Sequence, residues 1–171
     1  DLDGLKELFK TGDAAVKAGV LNGLQLEPGP NPDMGPGIIA LAVEGAGHSS
    51  AEVRKWACFV FKDQSGWGVD CTSAVLPLLA LLGDSDAEVR RMAAFASGNV
   101  YKRRFDFAPH FSALRELLND DALYVPEAAA WALASLPFAS ARATWKGSGS
   151  MRKRTSPFAT RAPSAKRCST R

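Results

Sequence analysis

Two histidines and three cysteines are the side chains in this sequence best suited to metal ligation or nucleophilic chemistry, and their spacing argues against both. His48 and His110 stand alone, each without an adjacent Glu, and neither belongs to a His/Cys/carboxylate cluster with metal-ligand spacing. Both read as turn or surface histidines. Cys58, Cys71 and Cys168 are odd in number and widely separated, which fits neither a disulfide framework nor a CxxC site. Cys58 falls on an apolar helical face, where a buried free thiol is expected, and this points to a reducing compartment. Gly45-Ala46-Gly47 reads as a helix end rather than a phosphate cradle, and no nucleophile elbow occurs. No catalytic residue, metal ligand or cofactor site is therefore expected.

The regularity of the chain lies in a repeat. Ser50-Ala51-Glu52-Val53-Arg54-Lys55 reappears as Asp86-Ala87-Glu88-Val89-Arg90-Arg91, 36 positions later by the residue numbers. The same step leads from Val89 to Val125, from Phe59 through Phe95 to Trp131, from Asp84 to Asp120, and along Ile39, Val75 and Phe111. A step of about 37 backwards from Val53 finds Val16, giving four units. Each unit reads as two helices. First helices are predicted near 2–10, 37–47, 73–83 and 109–119, and second helices near 13–25, 50–63, 86–99 and 122–136. Val89, Met92, Ala93 and Ala96 recur at three- and four-residue spacing, an apolar stripe of helical period. Asp13, Ser50 and Asp86 stand where an N-cap oxygen meets first-turn amides, Glu52 and Glu88 suit the helix dipole, and Gly47, Gly83 and Asn119 serve as stops. Joined by a few residues, paired helices must lie antiparallel, and neighbouring units must stack to bury their apolar faces.

With an Asp in the turn and a Val-Arg pair opening the second helix, the pattern resembles the HEAT-repeat family. Asp84, Val89 and Arg90 carry that motif, with Ala93 and Ala94 at small-residue packing positions and Pro77 in the first helix. The resemblance covers roughly residues 2–138. It implies an all-α fold, a right-handed superhelical stack of about four antiparallel helix pairs. It also implies a ladder in which Asp84 and Arg90 bond along the stack, with Val53, Val89, Asp120 and Val125 as repeat positions. Other units depart from the motif: His48 replaces the Asp in the second, Pro126 replaces the Arg in the fourth, and the first has Thr11, Val16 and Lys17. Some HEAT-like proteins are di-iron hydroxylases with His-Glu pairs, and two lone histidines are too few for that site.

In a HEAT stack the second helices line the concave side, so Lys17, Arg54, Lys55, Arg90 and Arg91 would form a basic row for an acidic partner. The plainer reading makes Arg54 and Arg90 ladder residues and leaves Lys55 and Arg91 solvated, with Glu52 and Glu88 interleaved. Trp67, between Gly66 and Gly68 in a polar segment, reads either as an interface anchor or as an aromatic folded over the core. Lys102, Arg103 and Arg104, flanked by Tyr101 and Phe105, form a basic loop suited to phosphate or an acidic peptide, or simply to solvent. Glu27 to Pro36 is rich in proline and must be an irregular connection.

Charge divides the chain. From Arg142 onward there are nine basic residues and no acidic one, which leaves 12 basic against 18 acidic before it, a net of −6 in a chain of overall charge +3. Residues 1–139 are expected to form the repeat domain, with units at about 2–26, 37–70, 71–106 and 107–138. Residues 140–171 are expected to be a disordered basic tail, or a C-terminus out of frame, in which Met151-Arg152-Lys153-Arg154 reads as a nuclear-localisation or anionic-surface signal. No run reaches the ~20 apolar residues of a membrane span, and no signal peptide is expected. The expected function is a non-enzymatic protein–protein scaffold or adaptor, either a fragment of a longer solenoid or a subunit of an assembly, in a cytoplasmic or nuclear setting. The competing reading is nucleic-acid or ribonucleoprotein association through the tail; a HEAT-type metalloenzyme ranks third.

Overall fold

The computed structural model describes residues 2–25, 33–100 and 108–136. The predicted loop Lys102–Arg104 and the tail 140–171 lie outside them. Among the described residues the chain forms eight α-helices: α1 (Leu2–Thr11), α2 (Ala14–Gln25), α3 (Gly35–Ala46), α4 (Ala51–Gly66), α5 (Val75–Leu81), α6 (Ala87–Val100), α7 (Ala108–Glu116) and α8 (Val125–Ser135). Short 3₁₀ turns precede α5 at Thr72–Ala74 and follow α7 at Leu117–Asn119. The odd helices are the first of each pair and the even ones the second.

Local chemistry accounts for the differences from the predicted boundaries. Pro77 sits at the third position of α5, where its missing N–H would have no intrahelical partner anyway. α8 starts three residues later than predicted, because Tyr124 at its N-cap takes a left-handed conformation (φ 67°) and Pro126 fits only the first turn. Asp13 and Asp86 cap α2 and α6 as expected, through bonds from Val16 N (2.9 Å) and Val89 N (3.1 Å). Ser50 does not cap α4 with its side chain. Instead its own N–H donates to His48 Nδ1 at 3.0 Å.

The core runs unbroken along the stack, from Phe9, Leu21 and Leu24 through Val53, Val60 and Phe61 to Leu114 and Ala128. Its layers differ in density. Consecutive second helices (α2, α4, α6, α8) pack side by side along their length, whereas consecutive first helices (α1, α3, α5, α7) touch only sparingly. A stack whose elements crowd on one side and splay on the other must curve, with the second helices inside. Close approach rests on small residues at two places. A Cβ on Gly45 would stand 2.8 Å from Leu21 Cδ1, and one on Gly98 would stand 2.7 Å from the Trp131 ring and 2.9 Å from Ala132 Cα. At Gly98, therefore, backbone as well as side chain bars a larger residue.

Candidate functional site

The stack is tied together by arginines that reach forward one unit. Arg54 places Nε and Nη2 on the Asp84 carboxylate at 2.7 and 2.8 Å, and Nη1 on the main-chain oxygens of His48 and Ser49 at 2.9 and 2.8 Å. Arg90 repeats the arrangement one unit on, bonding Asp120 at 2.7 and 3.0 Å and the main-chain oxygens of Asp84 and Ser85 at 2.8 and 3.2 Å. The sequence reading paired Asp84 with Arg90, and this needs correction. Arg90 touches Asp84 through its main-chain oxygen, while its carboxylate partner belongs to the following unit, because a long side chain at the start of a second helix overlies the next turn.

Each acceptor Asp also holds its own turn, since Asp84 and Asp120 accept from the N–H two residues on, both at 2.9 Å. At the equivalent position His48 does the same with Nδ1. The imidazole thus replaces the turn-forming half of the Asp role but supplies no carboxylate. Burial would raise the Asp84 carboxyl, yet the hydrogen bonds from Arg54 and from the Asp86 N–H outweigh it and hold the pKa below the ordinary value. The Arg90 guanidinium depresses Asp120 likewise.

Beside the ladder, on the inner surface, lies a second set of groups in register. Phe59, Phe95 and Trp131 occupy successive second helices and remain partly exposed, Trp131 at 40%. Trp56 lies against Phe59 at 4.9 Å between centroids and Phe95 against Trp131 at 5.4 Å, both pairs tilted. Cations lie over the rings: Lys55 over Trp56 at 4.9 Å, Lys62 over Phe59 at 5.1 Å and Arg91 over Phe95 at 5.8 Å. Lys55 is bound to Glu52 at 2.7 Å and Arg91 grips Glu88 through both carboxylate oxygens, so the cations are oriented by their own helices. The surface is therefore a mixed one, aromatic rings flanked by neutralised charges.

The residues singled out in the sequence separate accordingly. Arg54 and Arg90 are engaged by the ladder, while Lys55 and Arg91 share the inner face in register. Trp67 is half-buried at the C-cap of α4, about 18 Å along the helix from Lys55 at 1.5 Å per residue, and so belongs to the opposite edge. Phe59, Phe95 and Trp131 were visible in the sequence as a repeat position, but not as a surface, because spacing alone cannot say which aromatic of a helix stays uncovered. His110, read from the sequence as a turn or surface residue, is buried in α7 and donates from Nε2 to Val75 O at 2.9 Å, and burial lowers its pKa. Among the described residues no group of three His, Cys, Asp or Glu could hold a metal ion. Cys58 and Cys71 are buried free thiols; burial pushes Cys71 up to about 12 and Cys58 higher still, away from thiolate chemistry. No helix among the described residues is long and apolar enough to cross a membrane.

Comparison with known proteins agrees with this architecture. Residues 75–144 match the family model for HEAT repeats. Among solved structures, an engineered protein superposes with a TM-score of 0.71 at 22% identity, over 85% of this chain and 67% of the other. A designed armadillo repeat protein in complex with the peptide (KR)4 superposes with a TM-score of 0.66 at 21% identity, over 85% of this chain and 69% of the other. At such identities the likeness is one of fold. No curated protein matches the chain.

Proposed function

Because this chain is a HEAT/armadillo-type helical repeat protein, we propose that it is a non-enzymatic scaffold whose inner, second-helix face receives an extended segment of a partner protein. The observation that carries this reading is the row Phe59–Phe95–Trp131, partly exposed and repeated at one position of three adjoining helices. Neighbouring packed helices lie about 8–10 Å apart. The rings of Phe95 and Trp131 reach across this gap to 5.4 Å between centroids, so they offer an extended segment one continuous aromatic platform. The backbone of such a segment is unpaired, and Asp63, Asn99 and Ser135, each four residues beyond its aromatic, keep acceptor capacity for it, with Asn99 and Ser135 donating to the main-chain oxygens of Phe95 and Trp131 and Asp63 paired with Lys62. The peptide carried by the designed armadillo protein is consistent with an extended ligand on this kind of fold. Lys55 and Arg91, from the basic row, would orient the segment, whereas Trp67 stands outside the groove as an independent contact.

Selection of binders from a displayed library of unstructured peptides, using the full chain, tests the reading. Phe95→Ala and Trp131→Ala are expected to weaken the selected peptides at least about tenfold each, the loss of roughly 1.4 kcal/mol or more usual for an aromatic contact at the centre of an interface. Trp67→Ala is expected to leave them unchanged. Selected peptides that bind both groove variants like the wild type would remove the groove from the function.

A further inference from the structure

Equivalent positions of the repeat differ in burial between the two ends of the stack and its middle. The valine that opens each second helix is fully buried in three units, with Val53, Val89 and Val125 at 0% exposure, but Val16 in α2 is 40% exposed. Gly19 and Gly23 of α2 are also exposed, with nothing within 4 Å of an added Cβ. Their counterparts three repeat steps on are buried in α8, at Ala128 and Ala132, where Ala132 meets Gly98 of α6. This is the face by which a second helix sits on the one before it.

The opposite face shows the reverse order. Leu21, Cys58 and Ala94 are fully buried at successive repeat positions, while Ala130 in α8 is exposed. Gly98 is buried against α8, and its counterpart Ala134 is exposed. Around them the end of the stack presents Leu118, Leu123 and Tyr124. α8 thus exposes the surface with which α6 seats α8, and α2 exposes the surface with which α8 is seated. The ladder leaves no charge stranded at either joint, because Pro126 takes the donor position and Thr11 the acceptor position.

We propose that the exposed face of α8 binds the exposed face of α2 in a second copy of this chain, continuing the internal stack head to tail. The occupant follows from the register. What covers this surface inside the molecule is the leading face of a second helix, and among the described residues such a face is uncovered on α2. Such an interface is heterologous and does not close on itself, so it yields short linear arrays rather than a symmetric dimer.

Analytical ultracentrifugation of the full chain tests this, with Ala130→Glu blocking one end and Gly19→Glu blocking the other. Both positions are solvent-exposed in the single chain, and an unchanged far-UV circular dichroism spectrum verifies folding. Wild type is expected to show a weight-average mass that rises with concentration beyond twice the monomer. Each variant alone is expected to be monomeric. Mixed in equal amounts, the two variants are expected to give a dimer, since each retains the end the other lacks. Wild type monomeric up to about 1 mM, where even a millimolar self-affinity is visible, would overturn the proposal. So would variants that still associate, or a mixture that stays monomeric.

Discussion

The middle of this molecule and its ends are built from the same sequence positions and have different environments. α4 and α6 each pack between two other second helices, and two arginine–carboxylate rungs, Arg54–Asp84 and Arg90–Asp120, span the joints from α4 to α8. Among the described residues α2 and α8 each have a second-helix neighbour on one side only, the rungs stop, and residues that are buried in the middle reach solvent. A repeat residue therefore has no fixed energetic value. Its contribution depends on how many units contact it, as expected where stability is a sum over units and nearest-neighbour interfaces.

The strongest way to break this comparison is to place one substitution at two equivalent sites. Val89→Asp puts a carboxylate into a fully buried position and is expected to cost more than about 4 kcal/mol, enough to unfold the central units in a chemical denaturation curve. Val16→Asp, at the same repeat position in α2, is expected to cost less than about 1 kcal/mol. Equal losses at the two sites would mean that a repeat residue's contribution does not depend on how many units contact it.

Next in size are the rungs. Asp84→Ala strips Arg54 of its bidentate partner and the turn of its Asp86 N–H acceptor, and is expected to lower unfolding free energy by about 2–3 kcal/mol. Asp120→Ala, which ends the ladder, is expected to cost about the same or slightly less. The acid dependence follows from the same groups. Folded Asp84 and Asp120 have pKa values below the unfolded value of about 3.9, so their stabilisation is complete above that pH and is lost as pH falls through the folded values. His110 acts in a higher window. Its folded pKa is depressed by burial, so below about 6.5 the unfolded chain takes up a proton that the folded chain resists, and stability declines as pH falls from there. His110→Leu is expected to flatten the decline of stability that begins below about pH 6.5 while leaving the loss below about pH 3.9 from Asp84 and Asp120 in place. Equilibrium unfolding across pH separates the two phases.

The smallest effect sharpens the comparison from the other side, by building a rung where there is none. Lys17→Arg together with His48→Asp recreates the donor and acceptor of the central joints at the first one. The pair is expected to add about 1 kcal/mol, with each single change contributing little, so a double-mutant cycle carries the result. A gain that is fully present in either single variant would show that no rung had formed.

Much of this was legible in the residues themselves. The 36-residue step, the helix pairs and the caps at Asp13 and Asp86 follow from local periodicity and from side chains that bond the backbone within three residues of themselves. Such interactions are written along the chain and need no partner elsewhere. Ser50 does not cap α4 with its side chain although Asp86, whose N–H is held in the same way by the residue two positions back, does cap α6, a difference that repeat position alone does not resolve. The ladder's polarity was hidden for a different reason. Arg90 is six residues from Asp84 and 30 from Asp120, and only the packing of one unit on the next brings the distant carboxylate nearer than the close one.

What the sequence by itself determined is the repeating unit: two amphipathic helices, their turn and the small residues that let them approach. The tertiary structure alone decided which copy of each residue is covered. Val16 and Val53 are the same residue in the same local setting, and one is half-exposed while the other is sealed, because burial is a property of neighbours and the ends of a stack have one fewer.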